Sequence, residues 1–218
     1  TLASLISAGT EINWNFTGQD FPNYPGYASV FEVQDVGPGV DVNLIGSVRL
    51  CFGSHRSVQQ TALGETTEVP AGLAPEAATL ARLMGVTMTS LTTSQAKPGE
   101  LVLVTGGGPI GFCALQNFKR AGYQVALLEP NTERRAWASE AGIQLVFGSA
   151  AEAAPVIGGR VALALECSSH EQAMLDACGL MRRAGELVQV GTPWHQRTEQ
   201  SAFTLLKTIF FGYLTVRG

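Results

Sequence analysis

The stretch Glu100-Leu-Val-Leu-Val-Thr-Gly-Gly-Gly-Pro-Ile-Gly-Phe-Cys-Ala-Leu-Gln-Asn-Phe-Lys-Arg-Ala-Gly-Tyr-Gln-Val-Ala-Leu-Leu-Glu129 decides how the rest of the chain is read. Leu101 to Val104 is a short apolar run, the pattern of a fully buried strand. Gly106, Gly108 and Gly111 follow at GxGxxG spacing. In such a turn the first glycine bends the chain. The second lets the backbone approach a pyrophosphate, and the third lets the helix pack close to the strand. Phe112 to Ala121 reads as a helix with Gly122 at its C-terminal cap. Gln124 to Leu128 reads as a second strand ending at Glu129, which lies 18 residues past Gly111. A carboxylate about 20 residues on is the one that binds adenosine ribose hydroxyls. A lone GxGxxG is weak evidence, but here strand, turn, helix, strand and acid occur in order. The expectation is that the amides after Thr105, at a helix N-terminus, hold a diphosphate.

The alternation continues beyond Glu129. Thr132 to Ala141 reads as a helix capped by Asn131. Strands are predicted at Gln144–Phe147, Arg160–Glu166 and Glu186–Val190, with a helix over His170–Arg183 and a sixth strand within Ile209–Val216. Upstream, Pro75-Glu-Ala-Ala opens a helix that runs to about Thr92, since Pro then an acid favours a first turn. The turn Lys97-Pro-Gly-Glu100 leads into the first strand. Strands alternating with helices imply a doubly wound parallel sheet covered on both faces, an α/β fold.

Residues 1–72 read differently. Glycine and proline punctuate them (Gly9, Gly18, Pro22, Pro25, Gly26, Gly37, Pro38, Gly39, Gly46, Gly53), with β-type runs at Ala28–Val36, Val48–Phe52 and Ser57–Ala62. Leu2 to Ser7 reads as the tail of another strand. The two portions are a compact barrel-like β domain, 1–74, and a dinucleotide-binding domain, 75–218. Thr1 opens the chain where Met is expected and an apolar strand closes it, so both ends are expected to be missing.

With 218 residues, 45% of them hydrophobic, the chain can build a substantial core. The net charge of −4 and the absence of a basic patch argue against nucleic acid as a partner. No apolar run reaches membrane-span length, because Thr204, Lys207, Thr208 and Gly212 interrupt Ala202–Val216. No signal-peptide pattern opens the sequence. The scattered Cys51, Cys113, Cys167 and Cys178 read as reduced thiols of a cytoplasmic protein.

The residues resemble the medium-chain dehydrogenase/reductase superfamily of zinc alcohol dehydrogenases and quinone reductases. Ser7-Ala-Gly-Thr-Glu11 is similar to its Cys-Gly-Thr-Asp segment, and Tyr24-Pro-Gly-Tyr27 to its Pro-Gly-His-Glu segment. Val33–Val40 with Ile45-Gly-Ser47 looks like its glycine-rich turn and Val-Gly-Asp. Ser-x-Gly-Thr-Glu with Pro-Gly-Tyr-x-Ser-Val looks most like the zinc-free branch that includes bacteriochlorophyllide dehydrogenases. The resemblance implies a GroES-like β-barrel before the Rossmann domain. It departs from the zinc members at the ligand positions, where Ala8, Tyr27 with Ala28, and Ala81 stand. A catalytic zinc needs three protein ligands, so no metal is expected and another group must polarise the carbonyl or move the proton.

Thr10 matches the family's proton-relay hydroxyl; the competing reading is a turn hydroxyl that caps local backbone. Tyr27, at a former ligand position, offers a phenol as acid or hydrogen-bond donor, or simply packs. His55 is the lone histidine of the first domain, catalytic or structural. For the cofactor the resemblance points to Thr105, Gly106, Gly108, Pro109, Ile110 and Gly111 at the turn. It adds Glu129 and Arg134 near the adenosine ribose, Cys167 and Ser168 after the fourth strand, and Val190, Gly191 and Thr192 after the fifth. The implied activity is zinc-independent hydride transfer between NAD, or NADP, and an alcohol or carbonyl in a homodimer acting on a small molecule. An enoyl or quinone reductase and a non-catalytic nucleotide-binding module remain alternatives.

Overall fold

The computed structural model describes residues 1–17, 21–199 and 201–218; Gly18, one of the punctuating glycines, lies outside them. The chain divides into two units, Thr1–Arg82 and Leu83–Gly218, described here separately. The division falls between Arg82 and Leu83, whereas composition placed it at Pro75.

The first unit carries a four-stranded sheet of β1 (Ala3–Ser4), β2 (Ser29–Glu32), β3 (Val48–Cys51) and β4 (Thr66–Glu68), antiparallel and in sequence order. Val30, Val69 and Ala78 form its small core, with Val48 and Leu50 packed against it. Ala78 comes from α2 (Pro75–Thr79), which starts on its proline as expected. Three local expectations change. Ser57–Ala62 forms no strand. The third sheet partner is Thr66–Glu68 instead, whose Thr66 hydroxyl accepts from Arg49 Nε on β3 at 2.6 Å. Residues 8–16 are helical rather than extended: α1 (Ala8–Thr10) continues into a wide turn, Glu11–Phe16. The helix from Pro75 breaks at Leu80 and resumes as α3 (Ala81–Thr93).

The second unit is a six-stranded parallel sheet in the order β10-β9-β8-β5-β6-β7. Its first strand, β5 (Leu101–Thr105), lies in the interior. The chain winds outward through α4 (Pro109–Arg120), β6 (Gln124–Leu128), α5 (Thr132–Glu140) and β7 (Leu145–Phe147). Through α6 (Ala150–Ile157) it crosses to β8 (Val161–Glu166), α7 (Glu171–Leu180), β9 (Met181–Gln189), α8 (Ala202–Gly212) and β10 (Thr215–Arg217). Alternation along the apolar strands feeds both faces. Val102, Val104, Val125 and Leu127 pack with Ala114, Leu115 and Phe118 of α4 on one side. Leu101, Leu103, Ala126 and Leu128 pack with Ala153, Ile157, Ala177 and Cys178 on the other. The doubly wound α/β reading therefore holds. No described helix is long and apolar enough to cross a membrane.

The deviations here have identifiable causes. The helix Ala150–Ile157 was not expected because Pro155 lies inside it; its signal is Ser149, whose hydroxyl accepts from the Glu152 amide at 3.3 Å. The helix expected over His170–Arg183 stops at Leu180. Met181 turns extended to pair with Val161, and a register shift with Ala184 at φ 56° absorbs the turn into the strand. Ile209–Gly212 belongs to a helix, not to the sixth strand. Ser201 caps α8 through the Phe203 amide, and partly buried residues recur at Leu205, Thr208, Ile209 and Gly212, a helical spacing. The apolar cluster Ile209-Phe-Phe211 hides that period. The strand itself is Thr215–Arg217, and it does lie at the sheet edge.

Phe118, on α4, is fully buried in the core that α4 forms with β5 and β6. Phe118→Ala is expected to remove about 3–5 kcal/mol of stability through lost burial and the cavity left behind. Urea unfolding followed by far-UV circular dichroism checks this; a loss below about 1 kcal/mol would contradict the packing described.

Candidate functional site

At the carboxyl end of β5 the chain makes its tightest turn. Gly106 has φ +85°, and a Cβ there would meet Ser168 at 2.9 Å. A Cβ on Gly111 would lie 1.8 Å from the Gly106 carbonyl oxygen, so α4 can approach the turn only as glycine. At Gly108 a Cβ would meet nothing within 4 Å. The three glycines thus split as expected: bend, open approach and close packing. Pro109 is the first residue of α4, and Phe112 donates to the Gly108 carbonyl at 2.8 Å. That leaves the amides of the first turn available to an anion.

Two buried carboxylates flank this turn. Glu129, at the end of β6, is 3% exposed. Its Oε2 accepts from the Gly107 amide at 2.6 Å and its Oε1 from the Asn131 amide at 2.8 Å. Arg134 stands half-exposed with Nη1 3.7 Å from the same carboxylate. Arg135 instead donates to the main-chain carbonyls of Glu129 and Pro130, at 2.8 and 2.7 Å. On the opposite side of β5, Glu166 is wholly buried. Its Oε1 accepts from the Ser168 amide at 2.7 Å, from the Ser168 hydroxyl, and from Thr105 Oγ1 at 3.3 Å. Its Oε2 accepts from the Ser169 amide at 3.0 Å and Gln189 Nε2 at 2.7 Å.

Glu166 and Gln189 were not among the sequence candidates. The available signal was the parallel between Leu128-Glu129 and Leu165-Glu166, each an acid closing an apolar run. The candidates around them fall into place. Gly191 and Val190 both donate to the Glu166 carbonyl, at 2.8 and 2.9 Å. Cys167 donates its amide to Thr105, and Thr192 is exposed. Ile110 is half-buried in the first turn of α4. All stand at carboxyl ends of parallel strands, beside the β5–β8 switch in winding direction, where open α/β sheets take ligands.

A second polar network lies within the first unit. His55 Nδ1 is 2.8 Å from Ser4 Oγ, and its Nε2 is 3.0 Å from Glu11 Oε1. A carboxylate oxygen without a proton accepts only, so Nε2–H donates to Glu11, and Nδ1 has the Ser4 hydroxyl as its partner. Glu11, 5% exposed, also accepts from the Ser7 amide at 3.0 Å. The Ser7 hydroxyl in turn donates to Thr10 Oγ1 at 3.1 Å. Pro25 accepts from the His55 amide, and Gly26 faces the imidazole so closely that a Cβ would lie 2.9 Å from it. Thr10, His55 and the Tyr24–Tyr27 loop are thereby joined through Glu11 and Gly26. Tyr27 carries the Arg82 guanidinium over its ring, 5.1 Å from the centroid.

Among the described residues no three His, Cys, Asp or Glu stand together as a metal ion requires. Ala8, Tyr27, Ala28 and Ala81 do not fit a catalytic zinc, which takes three N, S or carboxylate ligands.

A parallel sheet with a glycine turn and an acid at the next strand end defines a dinucleotide-binding α/β protein. The chain belongs to the zinc-binding dehydrogenase family, whose sequence profile matches residues 109–218. It is 34% identical over 79 residues to the 2-dehydro-3-deoxy-L-galactonate 5-dehydrogenase of Pseudoalteromonas atlantica, covering 36% of this chain and 23% of that one. To an alcohol dehydrogenase of Geobacillus stearothermophilus it is 27% identical over 208 residues, covering 79% and 62%. The chain thus spans less than two thirds of these relatives. In fold it matches a putative zinc-binding dehydrogenase from Sinorhizobium meliloti solved with NADP, with TM-score 0.82, 20% identity, and coverage of 100% and 74%.

Desolvation, with the Glu166 carboxylate next in size, pushes the Cys167 thiol far above its ordinary range, and burial raises Cys178 to about 11. A raised pKa keeps both as thiols at pH 8. Iodoacetamide at that pH is expected to leave buried Cys178 unmodified and to react slowly with half-buried Cys167 in the native protein, while labelling both in urea. Rapid native labelling of Cys167, read by peptide mass, would show that its thiolate is populated, against the raised pKa.

Proposed function

We propose that the chain forms the cofactor-binding part, and a portion of the catalytic part, of an NAD(P)-dependent oxidoreductase that works without zinc. The observation that carries this reading is the glycine turn, open at Gly108 and flanked by Glu129. The nicotinamide, when bound, exchanges hydride with an alcohol or carbonyl carbon. The turn amides and α4 bind the diphosphate, Glu129 accepts ribose hydroxyls, and Ser168, Val190, Gly191 and Thr192 line the end of the sheet toward the nicotinamide half. Oxidation of an alcohol also releases its hydroxyl proton. Tyr27 and Thr10 are assigned to hydrogen-bond the reacting oxygen and hand its proton to water, while the Ser7 hydroxyl donates to Thr10 and the Ser7 amide, through Glu11, fixes that turn beside His55. Support for the metal-free reading lies in Ala8, Tyr27, Ala28 and Ala81, whose side chains cannot replace a ligand set. The reading includes a homodimer paired through the open edge of β10 and a cytoplasmic location, which four free cysteines favour.

NAD is assigned over NADP. Glu129 sits at the ribose position, where a 2′-phosphate would meet a like charge. Arg134 already spends its charge on that carboxylate. Titration of both reduced cofactors against tryptophan fluorescence is expected to show NADH binding at least about tenfold tighter, with Glu129→Ser narrowing or reversing the order. Tighter NADPH binding by the unmutated protein would overturn the assignment. Metal analysis is expected to find no stoichiometric zinc, and activity should survive chelation. Zinc lost together with activity would refute the metal-free reading.

A further inference from the structure

Arg82, in the first unit, is an arginine that the proposed chemistry leaves unused. It stands in the first turn of α3 and projects onto two aromatic rings. Its guanidinium carbon lies 5.1 Å from the Tyr27 centroid and 4.8 Å from that of Phe52. It makes no hydrogen bond and no ion pair among the described residues, and its Nε is buried without a partner. Arg217, the other arginine with a buried unpartnered nitrogen among them, is neutralised by Glu186. A buried donor facing no acceptor is costly to leave unmade. Aromatic faces hold a guanidinium but accept no N–H in its plane.

We propose that Arg82 holds a carboxylate of the substrate, so that the enzyme acts on hydroxy- or oxo-carboxylic acids. With the Tyr27 and Phe52 rings against it and Nε closed off, the guanidinium offers its Nη1–Nη2 edge. That planar fork of donors matches a planar carboxylate in two parallel hydrogen bonds. Tyr27 links this anchor to the reaction: the ring that supports Arg82 carries the phenol assigned to the proton. An acid gripped at Arg82 therefore has its hydroxyl or carbonyl carbon presented on the Tyr27 side. The assignment rests on the oxidoreductase reading above and adds the class of substrate to it.

The test uses the full-length protein and begins with NADH binding by fluorescence, whose failure would remove the oxidoreductase reading and leave the anion site to be judged separately. Phenylglyoxal modification of Arg82, read by peptide mass, is then followed with lactate, glycerate, 3-hydroxybutyrate and gluconate, with the methyl ester of each, with inorganic phosphate and with NADH. At least one hydroxy acid is expected to slow modification about tenfold or more while its ester does not. In turnover, Arg82→Met is expected to raise KM for that acid by about tenfold to a hundredfold with kcat within a few-fold and NADH affinity unchanged, and Arg82→Lys to restore part of the loss. Protection by phosphate or NADH instead would make Arg82 a phosphate anchor. Protection by none of these probes would leave it a packing residue. Either result overturns the proposal, and the labelling of the unmutated protein decides even if the methionine variant fails to fold.

Discussion

The geometry of the second unit depends on one constraint, two buried carboxylates set on either side of a single strand end. Glu129 grips the amide of Gly107 from β6, and Glu166 grips Thr105 and the Ser168–Ser169 backbone from β8. Each is taken out of water, which would be strongly unfavourable if its lone pairs were unmatched. Each is instead given donors in fixed places, worth about 1.5–3 kcal/mol per charge-assisted bond. The turn between them cannot relax in either direction without breaking such a bond. Its open approach at Gly108 is therefore a rigid feature, ready before any ligand arrives, and pre-organisation of that kind lowers the cost of binding.

The same two acids divide the labour of a nucleotide site. Glu129 is buried with a guanidinium close by, and under the proposed reading ribose hydroxyls add to the bonds its carboxylate already accepts. Glu166 lies too deep to touch a ligand. It acts through Ser168, Ser169 and Gln189, fixing the ends of β8 and β9 against Gly106. Desolvation and the adjacent Glu166 carboxylate likewise hold Cys167 as the thiol.

In the first unit the proposed metal-free chemistry rests on a hydrogen-bond network. Glu11 is the centre: it fixes His55, receives the Ser7 amide, and through Ser7 reaches Thr10. The alanines at positions 8, 28 and 81 leave nothing to coordinate a cation, while an arginine stacked on Tyr27 brings a permanent positive charge to the same neighbourhood. A fixed guanidinium can orient an acidic substrate but does not polarise an oxygen as a Lewis acid does, and the metal-free reading proposed above therefore gives proton movement to hydroxyl groups.

What the sequence by itself determined was whatever rests on local pattern. Leu101–Val104, the glycine spacing, Pro109, Gly122 and Asn131 announce a strand, a turn and two capped helices, because φ preferences and apolar runs act over a few residues. Their order was enough for a doubly wound sheet and for an acid, Glu129, at the end of its second strand beside the glycine turn. Tertiary structure decided what rests on distance. The burial of Glu166 depends on three strand ends meeting, and the partnership of His55 with Glu11 and Ser4 on a fold that brings residues 51 and 44 positions apart within hydrogen-bond reach. Ile209–Gly212 became helical because packing selected Leu205 and Ile209 from a stretch whose apolar cluster Ile209-Phe-Phe211 hid the helical period. Arg82 lies 55 positions from Tyr27 in the chain, and only the fold sets its charge on that ring and leaves its edge unpaired.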